Sequence, residues 1–373
     1  MSFKILFKDK KTKARIGIIQ TKKGNIETPF FMPVATKAAV KFVDTEKINE
    51  ISDAVISNGL ILSLRPGARI IKKAGGIGKF MNFKGINITD SGGFQMYTDS
   101  IYINSNNKGV LFKNPFSGEK IFISPEKDME IQLAIGSEIA MCLDCMPLYN
   151  HSKSEIKKAV EKTGLWAKRC KSYHDKLQKN KKQNQKQLLF GITQGGVYKD
   201  LRKKSISDLA KLDFDGYSIG GLGLGETKKE QEQIIRLQKS LIPDKPIYLM
   251  GIGDPLEILQ AISLGIDMFD SRMPTQNARR GTLFTSKGKI KILNKKYEKD
   301  LKHIDEKCDC FVCKNYSRAY IRYLVLQDEP VGKELASYHN LYFISNLIKQ
   351  AKYEIRKNTF SRFVKDFKKK IKN

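Results

Sequence analysis

The stretch Ile266 to Gly281, IDMFDSRMPTQNARRG, decides how the rest of the chain is read. It follows a segment opened by Asp254-Pro255 and closed by Gly265, a pattern that predicts a helix with a carboxylate cap and a glycine stop. A short apolar run, Ile266, Met268 and Phe269, then ends in the carboxylate of Asp270. Beyond it come a Pro-Thr turn at Pro274 and Thr275 and two arginines, Arg279 and Arg280, with no acid beside them. An isolated Asp commonly caps a turn. An acid closing a buried strand and facing a basic loop suits chemistry on an anionic polymer. Whether the pattern recurs decides between the two.

It recurs along the chain. Residues 3–31 read as hairpins, with Lys23-Gly24-Asn25 as one turn. Eight strand candidates follow: Phe30–Ala35, Ala54–Asn58, Ile86–Thr89, Ile139–Leu143, Leu188–Thr193, Tyr217–Gly220, Ile247–Met250 and Ile266–Phe269. Helices lie between several of them. Ser124-Pro125-Glu126 supplies an N-cap, a first-turn proline and an acid, with Gly136 as the stop. Ser152 with Glu155, and Thr227 with Glu230, have capping-box spacing. Alternating strands and helices predict an α/β fold, a (β/α)8 TIM-type barrel over residues 1–290 that includes the N-terminal hairpins.

A barrel of this kind places chemistry at the C-terminal ends of its strands. Asp90-Ser91-Gly92-Gly93-Phe94-Gln95 follows the third strand, Asp144 ends the fourth, and Gln194-Gly195-Gly196 follows the fifth. Gly220-Gly221-Leu222-Gly223 follows the sixth, Met250-Gly251 ends the seventh, and Asp270 ends the eighth. Singly, each has a plain structural reading: a tight turn, or a buried amide. The glycine run also fails the spacing of a dinucleotide fingerprint. Together, three acids, an amide and glycine-exposed backbone make a polar pocket suited to the edges of a purine-like base.

The 373 residues carry a net charge of +29, which favours encounter with polyanions and points to nucleic acid as partner. Much of the excess is lysine in runs such as Lys368 to Lys370, which also fit solvated helix faces. A hydrophobic share of 40% suffices for a sizeable core. No run of about 18 apolar residues occurs, which argues against a transmembrane helix, and the start, MSFKILFKDKKTKAR, does not resemble a signal peptide. These features predict a cytoplasmic protein with no membrane partner.

After the barrel, Cys308-Asp309-Cys310-Phe311-Val312-Cys313 packs half of the six cysteines into six residues. In a cytoplasmic chain such spacing favours a metal over disulfides. Three thiolates need one more ligand for a closed tetrahedral zinc site. Of the four histidines, His151, His174, His303 and His339, the last lies on a helical segment that could fold back, and His303 is too near. The expectation is one structural Zn2+ per subunit in a subdomain spanning 291–340. A C-terminal helix, 341–373, would then return to the barrel through the apolar stripe Leu341, Ile344, Leu347, Ile348, Ala351 and Ile355. Cys142, Cys145 and Cys170 read as ordinary thiols.

Several stretches match one known family: FFMPVATKAAVK, LRPGARI, DSGGFQ, FGITQGGVYKDLR, FDGYSIGGLGLGE, YLMGIGDP, MFDSRMPTQNARRG, CDCFVCKNYSRAY and HNL. Over nearly its whole length the chain resembles the bacterial-type tRNA-guanine transglycosylases, also called queuine tRNA-ribosyltransferases. The resemblance implies an irregular TIM barrel with a late zinc subdomain, and a homodimer. It also implies exchange of the wobble guanine in tRNAs with G-U-N anticodons for a 7-deazaguanine derivative, without cutting the backbone. Carried over by position, Asp270 is the nucleophile and Asp90 the general acid/base. Asp144, Gln194, Gly221 and Leu222 hydrogen-bond the base, and Phe94 and Met250 sandwich its ring. Position 276, here Gln276, is where the family meets the anticodon loop, and Cys308, Cys310, Cys313 and His339 hold zinc; Arg279 and Arg280 are expected, from their charge, to anchor tRNA.

The sequence also departs from the family pattern. Asn58-Gly59-Leu60-Ile61 stands where Asn-Thr-Tyr-His is expected. Met146 replaces a cysteine, Leu224 replaces a valine, and Gln276 replaces an arginine. Two other functional readings are a catalytically silent RNA-binding accessory subunit of a transglycosylase and an unrelated metabolic barrel that binds phosphate. The presence of both Asp90 and Asp270 opposes the first. The cysteine cluster and the basic charge oppose the second.

Overall fold

The structure, a computed structural model, describes residues 2–96, 101–147, 151–242 and 244–371, with the side chains of Phe94 and Gln95 also outside the description. The eight expected strands are all present as parallel barrel strands: Phe30–Pro33, Ala54–Asn58, Ile86–Asp90, Ile139–Met141, Leu188–Thr193, Gly216–Ile219, Ile247–Leu249 and Met268–Ser271. The first pairs with the eighth, and each later strand with its successor up to the eighth, except between the first and second. There a single bridge, Val34 to Ile56, and the Ala35 N–H to Ile56 carbonyl bond (2.7 Å) all but close the ring. This is an eight-stranded parallel barrel with surrounding helices.

Strand period two sorts its residues. Phe30, Met32, Ile56, Ile86, Ile88, Ile139, Met141, Phe190, Ile192, Tyr248 and Met268 form one buried cluster. Their neighbours Phe31, Val55, Ala140, Leu189, Tyr217, Leu249 and Phe269 belong to the cluster shared with the outer helices. Strand alternation therefore continues Ile86 and Ile88 to Asp90, and Met268 to Asp270, on the same inner side. The strands' own parity delivers two carboxyls to the top of the barrel interior.

The other end is closed by a three-stranded antiparallel sheet, Phe3–Lys8, Arg15–Thr21 and Gly24–Thr28, which contributes Phe3, Ile19 and Ile26 to the inner cluster. Its anchor is a buried bidentate pair: Arg15 donates to both Asp267 oxygens, at 3.0 and 2.6 Å. Asp267 also accepts from the Ile247 N–H. Removing either partner would strand a buried charge.

The helix starts follow their sequence signals. Ser124 caps Pro125–Ile135, which stops at left-handed Gly136, and Asp254 caps Pro255–Ser263. Both capping boxes form, opening Lys153–Leu177 and Lys228–Leu241. One expectation is corrected. Pro274-Thr275 is not a turn but part of a helix, Met273–Arg279, because a proline in the first turn lacks only an N–H that the helix would leave unused. A single long helix, Pro330–Arg356, carries His339 and the apolar stripe together, with Leu341, Ile344, Leu347, Ile348, Ala351 and Ile355 all buried. Among the described residues, no helix is long and apolar enough to cross a membrane.

Candidate active site and metal centre

At the mouth of the barrel, Asp270 lies within the eighth strand, and one of its oxygens accepts from the Tyr248 hydroxyl at 2.5 Å and from the Gly251 N–H at 2.8 Å. Burial pushes its carboxyl upward in pKa, and these two bonds pull it back. The groups that hold Asp270 are thus neutral donors rather than the arginines the basic loop suggested. Tyr248 comes from the neighbouring seventh strand and points inward by parity.

Asp90 ends the third strand and accepts from the Gly92 N–H at 2.9 Å. Burial, with the charges of Asp270 and Asp144 behind it, pushes its pKa up to about 7. A carboxyl poised there can both give and take a proton near neutrality.

Asp144 lies beyond the fourth strand, which stops at Met141. Burial raises its pKa to about 6, opposed by the bond it accepts from the Gln194 amide nitrogen at 2.6 Å. Gln194 is fully buried, and among the described residues its amide oxygen has no partner. A buried acceptor without a donor is costly unless a ligand supplies one. The amino group of a guanine-like base is such a donor. The glycines fit around these groups. A Cβ at Gly93 would come within 2.6 Å of an Asp144 oxygen, and one at Gly221, where φ is +65°, within 2.6 Å of the Gln194 oxygen. Leu222 is buried beside this loop, and Glu226 accepts from the N–H groups of Gly223 and Leu224. Met250 is half-buried against the inner cluster. The Phe94 side chain lies outside the described residues.

Three supporting residues carry no role that the sequence had suggested. Tyr248 is one. Arg202, fully buried, donates to the carbonyls of Gly196 (2.8 Å), Thr193 (3.1 Å) and Gly221 (3.4 Å), tying the loops after the fifth and sixth strands. Desolvation lowers its pKa to about 9. Gln132 donates to Asp128 and the Met141 carbonyl and accepts from Thr89, clamping the strands that lead to Asp90 and Asp144.

Outside the mouth, the Arg279 guanidinium lies 5.8 Å from the Phe42 ring centroid, and one of its nitrogens is buried without a partner among the described residues. Arg280 is exposed, and Gln276 half-buried. Of the altered positions, Ile61 is buried with its N–H donating to the Asn58 side chain at 2.7 Å, while Met146 and Leu224 are half-buried.

Cys308, Cys310, Cys313 and His339 bring their ligand atoms within 4.8 Å of one another, a cluster that could hold a metal ion. The three sulfurs lie 3.9, 3.4 and 3.4 Å from His339 Nδ1. These separations suit ligands spread over a tetrahedron of radius about 2.0–2.3 Å. His339 Nε2 lies 2.8 Å from the Phe284 carbonyl, so Nε2 carries the proton and Nδ1 keeps its lone pair for a metal. The donor set fits zinc and leaves no ligand position open.

A family model described as queuine tRNA-ribosyltransferase matches residues 9–373. The chain is 46% identical over 360 residues to a curated queuine tRNA-ribosyltransferase of Bacillus licheniformis, covering 96% of this chain and 93% of the relative. It is 45% identical over 360 residues to that of Bacillus subtilis, with the same coverage. Against the enzyme of Thermoanaerobacter sp. (strain X514) it is 45% identical over 373 residues, 99% of this chain and 97% of the relative.

Proposed function

Because this chain belongs to the queuine tRNA-ribosyltransferase family, we propose that it exchanges the wobble guanine of tRNAs with G-U-N anticodons for a 7-deazaguanine base by two displacements. The observation that carries the reading is the unequal pair of acids at the barrel mouth. Asp270 is held for attack by two donors, and Asp90 is poised to carry a proton.

Exchange that leaves the nucleotide in its original β configuration needs two inversions at C1′, as in retaining glycosidases. The Asp270 carboxylate attacks C1′, the bond to the guanine nitrogen breaks, and its electron pair leaves with the base, which takes a proton from Asp90. The incoming base returns a proton to Asp90 and attacks C1′, releasing Asp270. Asp144 and Gln194 hold the edge of either base, the backbone of Gly221 and Leu222 completes the contact, and Met250 and Phe94 cover its faces. The substrate guanosine reaches this depth by flipping out of the loop, at a cost of a few kcal/mol.

Arg279, Arg280 and Gln276 contact the anticodon loop, and Cys308, Cys310, Cys313 and His339 hold one structural zinc. The exposed Phe311, Tyr320, Tyr323 and Leu326 beside the metal centre support a homodimer, since an apolar patch of this kind is normally covered. Met146 and Leu224, bulkier than their family counterparts, border the 7-substituent and bias the choice of incoming base. Comparing kcat/KM for guanine, 7-aminomethyl-7-deazaguanine and queuine measures that bias, and a clear preference for the aminomethyl base would show the two substitutions to be neutral.

The decisive experiment is uptake of labelled guanine into tRNA, run beside denaturing gels of enzyme and tRNA without free base. The wild type should give uptake and a slow covalent band, and Asp270→Ala neither. A band that survives in Asp270→Ala would move the nucleophile elsewhere. No uptake by the wild type would favour the accessory-subunit reading.

A further inference from the structure

Three loops at the mouth converge on one exposed ring. Lys37 lies in the loop after the first strand, and Arg65 in the segment after the second. Phe116 sits in the turn of a small antiparallel sheet, Tyr102–Asn106, Gly109–Lys113 and Lys120–Ile123, which follows the third strand. The Arg65 guanidinium lies 4.8 Å from the Phe116 ring centroid and the Lys37 ammonium 5.8 Å from it. All three side chains are exposed. Among the described residues, neither cation forms an ion pair; the acid of the same turn, Glu119, instead accepts from the Ser117 hydroxyl.

The turn holds the ring in place. The Asn114 N–H donates to the Glu119 carbonyl at 2.7 Å, and the Gly118 N–H to the Asn114 carbonyl at 2.8 Å. The Asn114 side chain accepts from the Phe116 N–H at 2.9 Å. An exposed aromatic on a braced turn, flanked by two cations with no ion pair among the described residues, matches one nucleotide of single-stranded RNA. The base stacks on the ring or on the guanidinium plane beside it, and the neighbouring phosphates meet the cations. All three loops leave the same end of the barrel as Asp90 and Asp270, so an RNA delivering its guanosine to those acids passes this face.

We propose that Phe116, Arg65 and Lys37 form a stacking platform for an unpaired anticodon-loop nucleotide other than the exchanged guanosine. The platform rests on the reading of this barrel as a tRNA-modifying enzyme. It recognises the π-face of a base and its phosphates, so it positions the loop with little regard to which base it holds.

The test uses the full chain and a fluorescently labelled anticodon stem-loop RNA, with affinity read by anisotropy and guanine exchange followed in parallel. Phe116→Ala should weaken RNA binding and raise the KM for RNA by about tenfold, the loss expected of one stacked base, with the KM for guanine unchanged. Phe116→Trp should restore binding. Lys37→Gln should lower the salt slope by roughly 0.7, one single-strand phosphate contact. Abasic substitution at each loop position should reveal one where wild-type affinity falls to the Phe116→Ala level and the variant loses nothing further. An unchanged RNA affinity in Phe116→Ala, or a loss that no abasic position reproduces, would overturn the platform. Should Phe116→Ala fold poorly, the abasic scan on wild type and Lys37→Gln decides alone: no position and no slope change rejects it. Binding does not require turnover, so an enzyme that binds the loop this way but exchanges no guanine refutes the reaction and leaves the platform standing.

Discussion

At the barrel mouth, the buried carboxyl of Asp144 and the half-buried carboxyls of Asp90 and Asp270 gather with no cation bonded to any of them among the described residues, and a buried amide oxygen beside them lacks a donor there. In the cysteine region, three thiols and an imidazole converge on a common centre, and the imidazole's second nitrogen is already committed to a carbonyl. Both are polar clusters inside folded protein, so both cost free energy unless something completes them. The cysteine cluster would be completed from within by one metal ion shared among its four ligands. The mouth can be completed only by a ligand that comes and goes. Changes at the mouth should therefore act on the reaction with little harm to the fold, and changes at the cysteines should act on the fold first.

The sharpest break between them is Asp270→Ala. It should abolish exchange while the protein keeps its metal and its circular dichroism, since the lost carboxylate leaves only the Tyr248 hydroxyl and one N–H to rehydrate. Loss of metal in this variant would mean that the two regions are coupled. Cys310→Ser is the converse. Elemental analysis of the wild type should find close to one zinc per chain, and the variant should lose it and melt at lower temperature, because metal affinity at a closed site is folding free energy. A metal-free wild type that stays folded and active would remove the structural role altogether.

The two regions also differ in how far they could be read from sequence. Asp90 and Asp270 were legible because strand parity fixes their side of the sheet, and Ser124, Ser152, Thr227 and Asp254 because capping is local. The convergence of the cysteines with His339 was legible because few other ligands exist in the chain. Tyr248, Arg202 and Gln132 were not. Each acts through a partner on another element, 22 residues away for Tyr248 and Asp270, and nothing in a local pattern marks a tyrosine that will meet an acid. The Met273–Arg279 helix was missed for a related reason: proline reads as a turn until the packed helix shows it in the first turn.

A subtler contrast is in pH. The Asp90 carboxyl is raised from 3.8 to about 7 in the folded chain by burial, so the folded state holds a proton that the unfolded state has released between those values. Stability attributable to this group is therefore present below about 4 and lost as pH rises through about 7. Asp90→Asn removes that dependence. It should melt above the wild type at pH 8, with the difference shrinking toward pH 4, while exchange is crippled at both. A pH-independent difference would show that Asp90 is not the group carrying the proton.

The smallest expected effect belongs to Arg279, outside both clusters. Its guanidinium lies over Phe42, where Lys333 and Lys41 also approach the ring, at 5.5 and 5.9 Å. Lys333 is balanced by Asp328, whereas Arg279 has no acid partner among the described residues and is depressed in pKa by burial and by Arg280 beside it. Three cations about one ring repel one another, and a phosphate of the RNA would relieve them. Arg279→Ala should therefore weaken tRNA binding modestly and reduce the slope of log affinity against log salt by roughly 0.7–0.9, one phosphate contact. Free-base binding should not change, because the acids and Gln194 that hold the base do not involve this residue. An unchanged salt slope would reduce Arg279 to a cation held by Phe42 for packing alone, and would shift the electrostatic grip on RNA to other cations around the mouth.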